Sequence, residues 1–170
     1  MYRKSLVTAL AAIGLSAGAN AQGSGQPEPC SSPPYEAFDF WLGEWTVTDL
    51  AEQPAGTNII TKEERGCLIV EHWTNTAGGT GQSYNYYDPG DKKWHQLWVS
   101  AGSVIEYSGG INQRGHMLLE GEIKYRNGTT FPFRGSWVPN DDGSVTQHFE
   151  QYNPETEEWD DWFIGTYRKS

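Results

Sequence analysis

The sequence predicts an all-β protein, an up-and-down antiparallel β-barrel of about ten strands preceded by a short helical turn. Three observations predict it. From Tyr35 onward turn signals recur roughly every ten residues, the spacing of a barrel or sandwich. No helix-length segment separates neighbouring strand-like runs, so consecutive strands are antiparallel neighbours. A meander of this length leaves long unpaired edges unless it closes on itself.

The chain begins with MYRKS, continues as LVTALAAIGLSAGA, and reaches the small-residue site Ala19-Asn20-Ala21. These are the three parts of a secretory signal, expected over residues 1–21, and they imply a periplasmic or secreted location. Gly14, Ser16 and Gly18 interrupt the apolar run, and no later stretch approaches the ~20 apolar residues of a membrane-spanning helix, so no integral membrane segment is expected. Cys30 stands in QPEPC rather than in a small-apolar lipobox, which argues against a lipid anchor.

Removing 21 residues from 170 leaves 149, the size of one domain. Losing Arg3 and Lys4 takes Lys+Arg from 12 to 10 against 22 Asp+Glu, a formal charge of −12. So acidic a chain is a poor nucleic-acid binder, because neutralising phosphates takes clustered Lys and Arg. Residues 22–34, rich in Gly, Ser, Gln and Pro, read as a flexible tether, and residues 35–170 as the barrel domain. In an oxidising compartment the two cysteines suggest one disulfide, Cys30 to Cys67; the alternative is two separate buried thiols.

A helical turn is expected around Glu36 to Leu42. Strands are expected near Trp45 to Asp49, Asn58 to Lys62, Leu68 to Asn75, Gln82 to Tyr87, Lys93 to Ser100, Val104 to Gly109, His116 to Arg126, Thr129 to Val138, Val145 to Tyr152 and Trp159 to Arg168. Asn127-Gly128 is a two-residue hairpin signal, and Asp141-Asp142-Gly143 marks another turn. YDPGDKKW at Tyr87 to Trp94 and YNPETEEW at Tyr152 to Trp159 repeat one hairpin design, an Asx-Pro turn with Tyr facing Trp.

If Tyr87 opposes Trp94, then Asn85 opposes Gln96 and Ser83 opposes Trp98. This mixed face of small, amide and aromatic groups is the expected interior, with Ile69, Glu71 and Trp73 beside it. A two-residue loop at Asn127-Gly128 sets Arg126 against Thr129. It puts Met117, Leu119, Gly121, Ile123 and Tyr125 on one face with Thr130, Pro132, Arg134, Ser136 and Val138, so Arg134 is expected inside, opposite Gly121. The late hairpin conflicts with itself: its repeat register groups His148, Glu150 and Tyr152 with Trp159, Asp161 and Phe163, whereas apolar patterning prefers Val145 and Phe149 inside. A β-bulge is one way to reconcile them.

Several segments carry a resemblance: FDFWLGEWTV (Phe38 to Val47), GCLIVEHW (Gly66 to Trp73), GQSYNYYDPGDKKWHQLWV (Gly81 to Val99), GHMLLEG (Gly115 to Gly121) and DGSVTQHFEQY (Asp142 to Tyr152). Together they resemble a family of exported bacterial proteins of unknown function, itself similar to the calycins, the lipocalin and fatty-acid-binding barrels. The resemblance implies a barrel with a small-molecule site. It also implies that Trp45 of Gly43-Glu44-Trp45 closes the barrel base against a late-strand cation, with Arg168 the candidate. More distant ten-stranded nitrobindins hold haem through a histidine, for which His148 is the conceivable counterpart.

An inward Arg134 among Glu71, Trp73, Asn85, Tyr87, Trp94, Gln96 and Trp98 suits non-covalent binding of a small amphipathic or anionic molecule. The alternative for the same residues is an internal ion network in a filled barrel, Arg134 pairing with Glu71, Glu150 or Asp161. An acid-base enzyme using a buried Glu71 or Glu150 is a further reading, as is surface carbohydrate binding on exposed tryptophans. The four histidines lack paired metal-ligand spacing, so no metal site is expected, and no nucleophile elbow is present.

Overall fold

The computed structural model describes residues 29–170. The expected signal segment lies outside them, as does most of the expected tether. Ten antiparallel strands close into one barrel in sequential order, with β1 completing the ring against β10. They are β1 (Gly43–Thr48), β2 (Pro54–Glu63), β3 (Leu68–Asn75), β4 (Thr80–Asp88), β5 (Lys93–Ser100), β6 (Ser103–Ile111), β7 (Met117–Tyr125), β8 (Thr130–Pro139), β9 (Val145–Asn153) and β10 (Glu158–Lys169). Among the described residues every strand has a neighbour on both sides, β10 meeting β1 over Thr166–Lys169, and closure of this kind is how so long a meander avoids templating aggregation.

One end of the barrel is plugged by the segment before β1. A helical turn, α1 (Pro33–Glu36), is followed by a 3-10 turn at Asp39–Trp41. Phe38 and Trp41 insert as a stacked pair with ring centroids 5.0 Å apart, and Phe38 meets Trp94 and Trp137 edge-on. Four hydrogen bonds and a disulfide hold this plug. The indole of Trp94 donates to the carbonyl of Pro34 at 3.0 Å, and that of Trp45 to the carbonyl of Trp41 at 2.9 Å. Lys62 bridges both carboxylate oxygens of Asp39, at 2.6 and 2.7 Å. Cys30 is disulfide-bonded to Cys67. Residues 30–34, read from sequence as the end of a tether, are thus fixed to the barrel.

The β4–β5 register is the one expected, with Tyr87 opposite Trp94, Asn85 opposite Gln96 and Ser83 opposite Trp98. That face points inward: Ser83, Asn85, Trp94 and Gln96 are all buried. The β7–β8 register departs from expectation by one residue. Tyr125 N–H donates to Thr129 O and Gly128 N–H to Tyr125 O, so the loop has three residues, with Gly128 at φ 85°. This is a type I turn followed by a left-handed glycine. Because side chains alternate, the slip turns every β8 residue over. Phe131, Phe133 and Trp137 face inward, and Phe133 rather than Arg134 stands opposite Gly121.

The β9–β10 hairpin keeps the repeat register, Tyr152 opposite Trp159 and Glu150 opposite Asp161, until a bulge between Asp161 and Phe163. The bulge takes Trp162 as its extra residue and brings Phe163 against Phe149. His148, Glu150 and Tyr152 therefore share the outer face, while Val145, Gln147 and Phe149 lie inside, which resolves the conflict between repeat and apolar pattern.

Trp45 pairs with Lys169, whose ammonium lies 3.7 Å from the centre of the indole ring and donates to the carbonyl of Leu42. Arg168, the cation expected there, points outward and donates to Thr48 Oγ1 at 3.3 Å. The expectation fails by one residue, which in a strand means the opposite face.

Candidate functional site

Beyond the plug, towards the opposite end, the barrel encloses a cavity of about 260 Å³. Its walls include Trp73, Trp98, Phe149 and Phe163; Glu71, Gln96, Tyr107, Gln147 and Tyr167 line it too; Asn75 and Trp162 are its exposed members. The rings stand where they do because glycines lie beneath them. A Cβ on Gly81 would fall 2.2 Å from the Trp98 indole, one on Gly56 2.8 Å from that of Trp73, and one on Gly165 2.7 Å from the Phe163 ring. For Trp73 and Trp98 the neighbouring strand gives up a side chain so that the ring can pack against its backbone, and for Phe163 its own strand does.

A continuous hydrogen-bonded network crosses the wall. The Tyr107 hydroxyl donates to Gln96 Oε1, and Gln96 Nε2 donates to Asn85 Oδ1. Asn85 Nδ2 donates to Ser83 Oγ at 2.9 Å and to Ile69 O at 3.1 Å. Ser83 Oγ donates to Glu71 Oε2 at 2.6 Å, and Asn58 Nδ2 donates to Glu71 Oε1 at 2.7 Å. On the other side, the Tyr167 hydroxyl donates to Gln147 Oε1 at 2.5 Å. The donors converge on Glu71, which is 4% exposed.

Burial pushes Glu71 up from 4.5 to about 7, outweighing the two hydrogen bonds that favour its charged form. Its nearest titratable neighbours, Tyr107 and Tyr167, are driven well above the usual phenol range, first by burial and then by the adjacent carboxylate, so both stay neutral. Asn58 Oδ1 is buried with no hydrogen-bond partner. A half-turn of that amide presents Oδ1 to a protonated Glu71, so the pair can serve either charge state.

Of the residues expected to form the site, Glu71, Trp73, Gln96 and Trp98 do line the cavity. Asn85 lies behind it, joining Gln96 to Ser83. Tyr87 and Trp94 belong to the plugged end, where Tyr87 packs edge-on against Tyr35 at 5.1 Å. Arg134 is on the outer surface, its Nε and Nη2 each 2.7 Å from Glu150 and its guanidinium 4.3 Å from the Trp159 ring centre. The inward placement of Arg134 is corrected by the three-residue loop, and with it goes the internal cation that favoured an anionic ligand.

Glu150, the second candidate acid, is also outside, and the hydrogen bond from Arg134 holds its carboxyl below the usual range. His148 lies on the outer face with Nε2 2.7 Å from Asp161, so it offers the interior no haem ligand. Trp98 lines the cavity and Trp94 is 4% exposed, so these two do not form a stacking platform for sugars on the surface. Two clusters of metal-capable groups occur among the described residues, Asp88/Asp91/His95 and His148/Glu150/Asp161. Their members already pair with one another, His95 with Asp91 and His148 with Asp161.

Sequence reading missed Tyr107, Gln147, Phe149, Trp162, Phe163 and Tyr167 as site residues. Tyr107 was legible, because extending the β5 register across the turn at Gly102 places it opposite Gln96. Trp162 was not, since only the bulge brings it to the cavity rim.

Neither a protein-family model nor a curated protein matches this chain. The closed ten-stranded barrel is compatible with a lipocalin-like fold.

Proposed function

We propose that this protein binds a small amphipathic molecule non-covalently inside its barrel. The observation that carries this reading is the cavity itself, walled by aromatic rings held back on glycines and furnished with one carboxyl and several amide and phenol groups. A filled structural barrel has no need of such shelves. A concave, mostly apolar space with a few convergent polar groups is the usual form of a small-molecule site.

The same reading takes the chain as an exported member of the calycin-like barrels. Support comes from the signal-like pattern over residues 1–21, from the Cys30–Cys67 disulfide, which suits an oxidising compartment, and from Lys169 over Trp45 at the closed base.

A second reading, proton transfer by Glu71 in an enzyme, is favoured by one observation: a buried carboxyl lifted to about 7 is poised to give or take a proton near neutrality. The test is a native mass spectrum, with an absorption spectrum, of the protein isolated from its own cells. A stoichiometric extra mass is the expected result. A bare mass from fully folded protein, with no small molecule retained or bound on addition, overturns the binding reading.

A further inference from the structure

We propose that the cavity takes an organic ammonium, a small amine with a compact apolar tail, with its cationic end at Glu71 and its tail among Trp73, Trp98 and Phe163. This rests on the cavity being the binding site.

Four observations lead there. Among the described residues that line the cavity, Glu71 is the sole carboxylate, and none is Lys, Arg or His. An anion entering this space would meet no countercharge, whereas a cation meets one. Next, the hydroxyl hydrogens of Tyr107 and Tyr167, both amide hydrogens of Asn85 and one of Gln96 are committed within the wall. What the two phenols still offer a guest is lone pairs, which suit N–H donors. Third, the remaining walls are largely aromatic, and ring faces attract cations through their quadrupole. Last, the whole chain carries a formal charge of −10, which draws cations towards it and repels anions.

Glu71 has room for the ammonium. Ser83 and Asn58 each use one lone-pair position of the carboxylate, leaving about two. A divalent metal is a poor occupant, since it asks for several oxygen ligands and this interior supplies one carboxylate. Size limits the guest: about 260 Å³ falls just below the ~300–1,000 Å³ range of drug-sized pockets. A single-ring or short-chain amine fits that space, with its polar end deep and its apolar end towards the Trp162 rim.

Empty, Glu71 shares its proton near neutrality. An ammonium beside it favours the carboxylate, so binding expels that proton to solvent and forms an ion pair. The groups facing Glu71 from the packed strands are Asn58 of β2 and Ser83 of β4, with the neutral phenols of Tyr107 on β6 and Tyr167 on β10 nearby. Affinity therefore rises with pH through the titration of Glu71 alone, until the amine itself loses its proton.

The experiment compares phenethylamine with phenethyl alcohol and hydrocinnamate, matched in shape but neutral or anionic, by calorimetric titration into the full chain in two buffers of different ionisation enthalpy. The expected result is at least about tenfold tighter binding of the amine than of either control near neutral pH, with proton release. In Glu71→Gln the amine should lose that preference, falling to within about twofold of the alcohol. Equal affinity for amine and alcohol in the native chain overturns the ammonium assignment while leaving cavity binding intact, and so does tighter binding of hydrocinnamate. Failure of all three to bind overturns both. Proton release is read on the native chain, so the test survives a Glu71→Gln that does not fold.

Discussion

Glu71 accepts a 2.6 Å hydrogen bond from the Ser83 hydroxyl across the β3–β4 pair, at the end of a run of donors that starts at Tyr107. Those bonds favour the charged carboxylate, yet burial wins and lifts the group from 4.5 to about 7. Between those two values the folded chain holds a proton that the unfolded chain releases, so this group makes stability fall as pH rises. The loss begins near the unfolded value and is complete above the folded one, amounting to about 3 kcal/mol for a shift of this size. Glu71→Gln abolishes that slope. Urea unfolding of both proteins at about pH 5 and about pH 8 should show the variant gaining about 3 kcal/mol relative to the native chain at the higher value. A gap that does not change with pH refutes the assignment of a buried, raised Glu71.

Trp98 lies against Gly81 so closely that an added methyl would sit 2.2 Å from the indole. Gly81→Ala must push the ring into the cavity. The expected outcome is about tenfold weaker binding of a cavity ligand, with a destabilisation of about 1–3 kcal/mol from overpacking. Calorimetric titration of the variant alongside its urea midpoint checks both, and unaltered affinity would mean that Trp98 is not part of the binding wall.

Arg134 and Glu150 form a two-bond ion pair on the outer surface, both partly exposed. Exposed pairs contribute little, so Arg134→Met should cost under about 1 kcal/mol and leave ligand affinity and selectivity unchanged. The inward position expected from sequence makes the opposite forecast, loss of preference for acidic ligands. A binding screen of the variant separates the two.

The Cys30–Cys67 disulfide closes a loop spanning 37 residues and anchors the segment leading into the plug. Replacing both cysteines by alanine should cost about 4 kcal/mol, chiefly by freeing the unfolded chain. The same loss should appear on adding reductant to the native protein, followed by tryptophan fluorescence during urea unfolding.

The β4–β5 hairpin was legible in the sequence because its two strands agree: Tyr87 with Trp94, Asn85 with Gln96 and Ser83 with Trp98 fit one interior face under one register. The β7–β8 hairpin was not, because Asn127-Gly128 suits both a two-residue loop and the last two positions of a three-residue one. Only the second is used, and one residue of slip exchanges Arg134 for Phe133. Apolar pattern held the correction, since Phe131, Phe133 and Trp137 make a better inner face than Thr130, Pro132 and Arg134. The cavity's empty centre depends in part on Trp73 and Trp98 lying over Gly56 and Gly81 of adjacent strands, a diagonal relation that spacing along one strand does not reveal. Trp162 owes its place to a bulge, which breaks the alternation that sequence reading relies on.

The most direct measurement is a crystal structure of the native chain with phenethylamine bound. The expected result is electron density inside the barrel, the ring among Trp73, Trp98 and Phe163 and the nitrogen within hydrogen-bonding distance of a Glu71 carboxylate oxygen. Density confined to the outer surface, or an interior left empty at saturating amine, contradicts it.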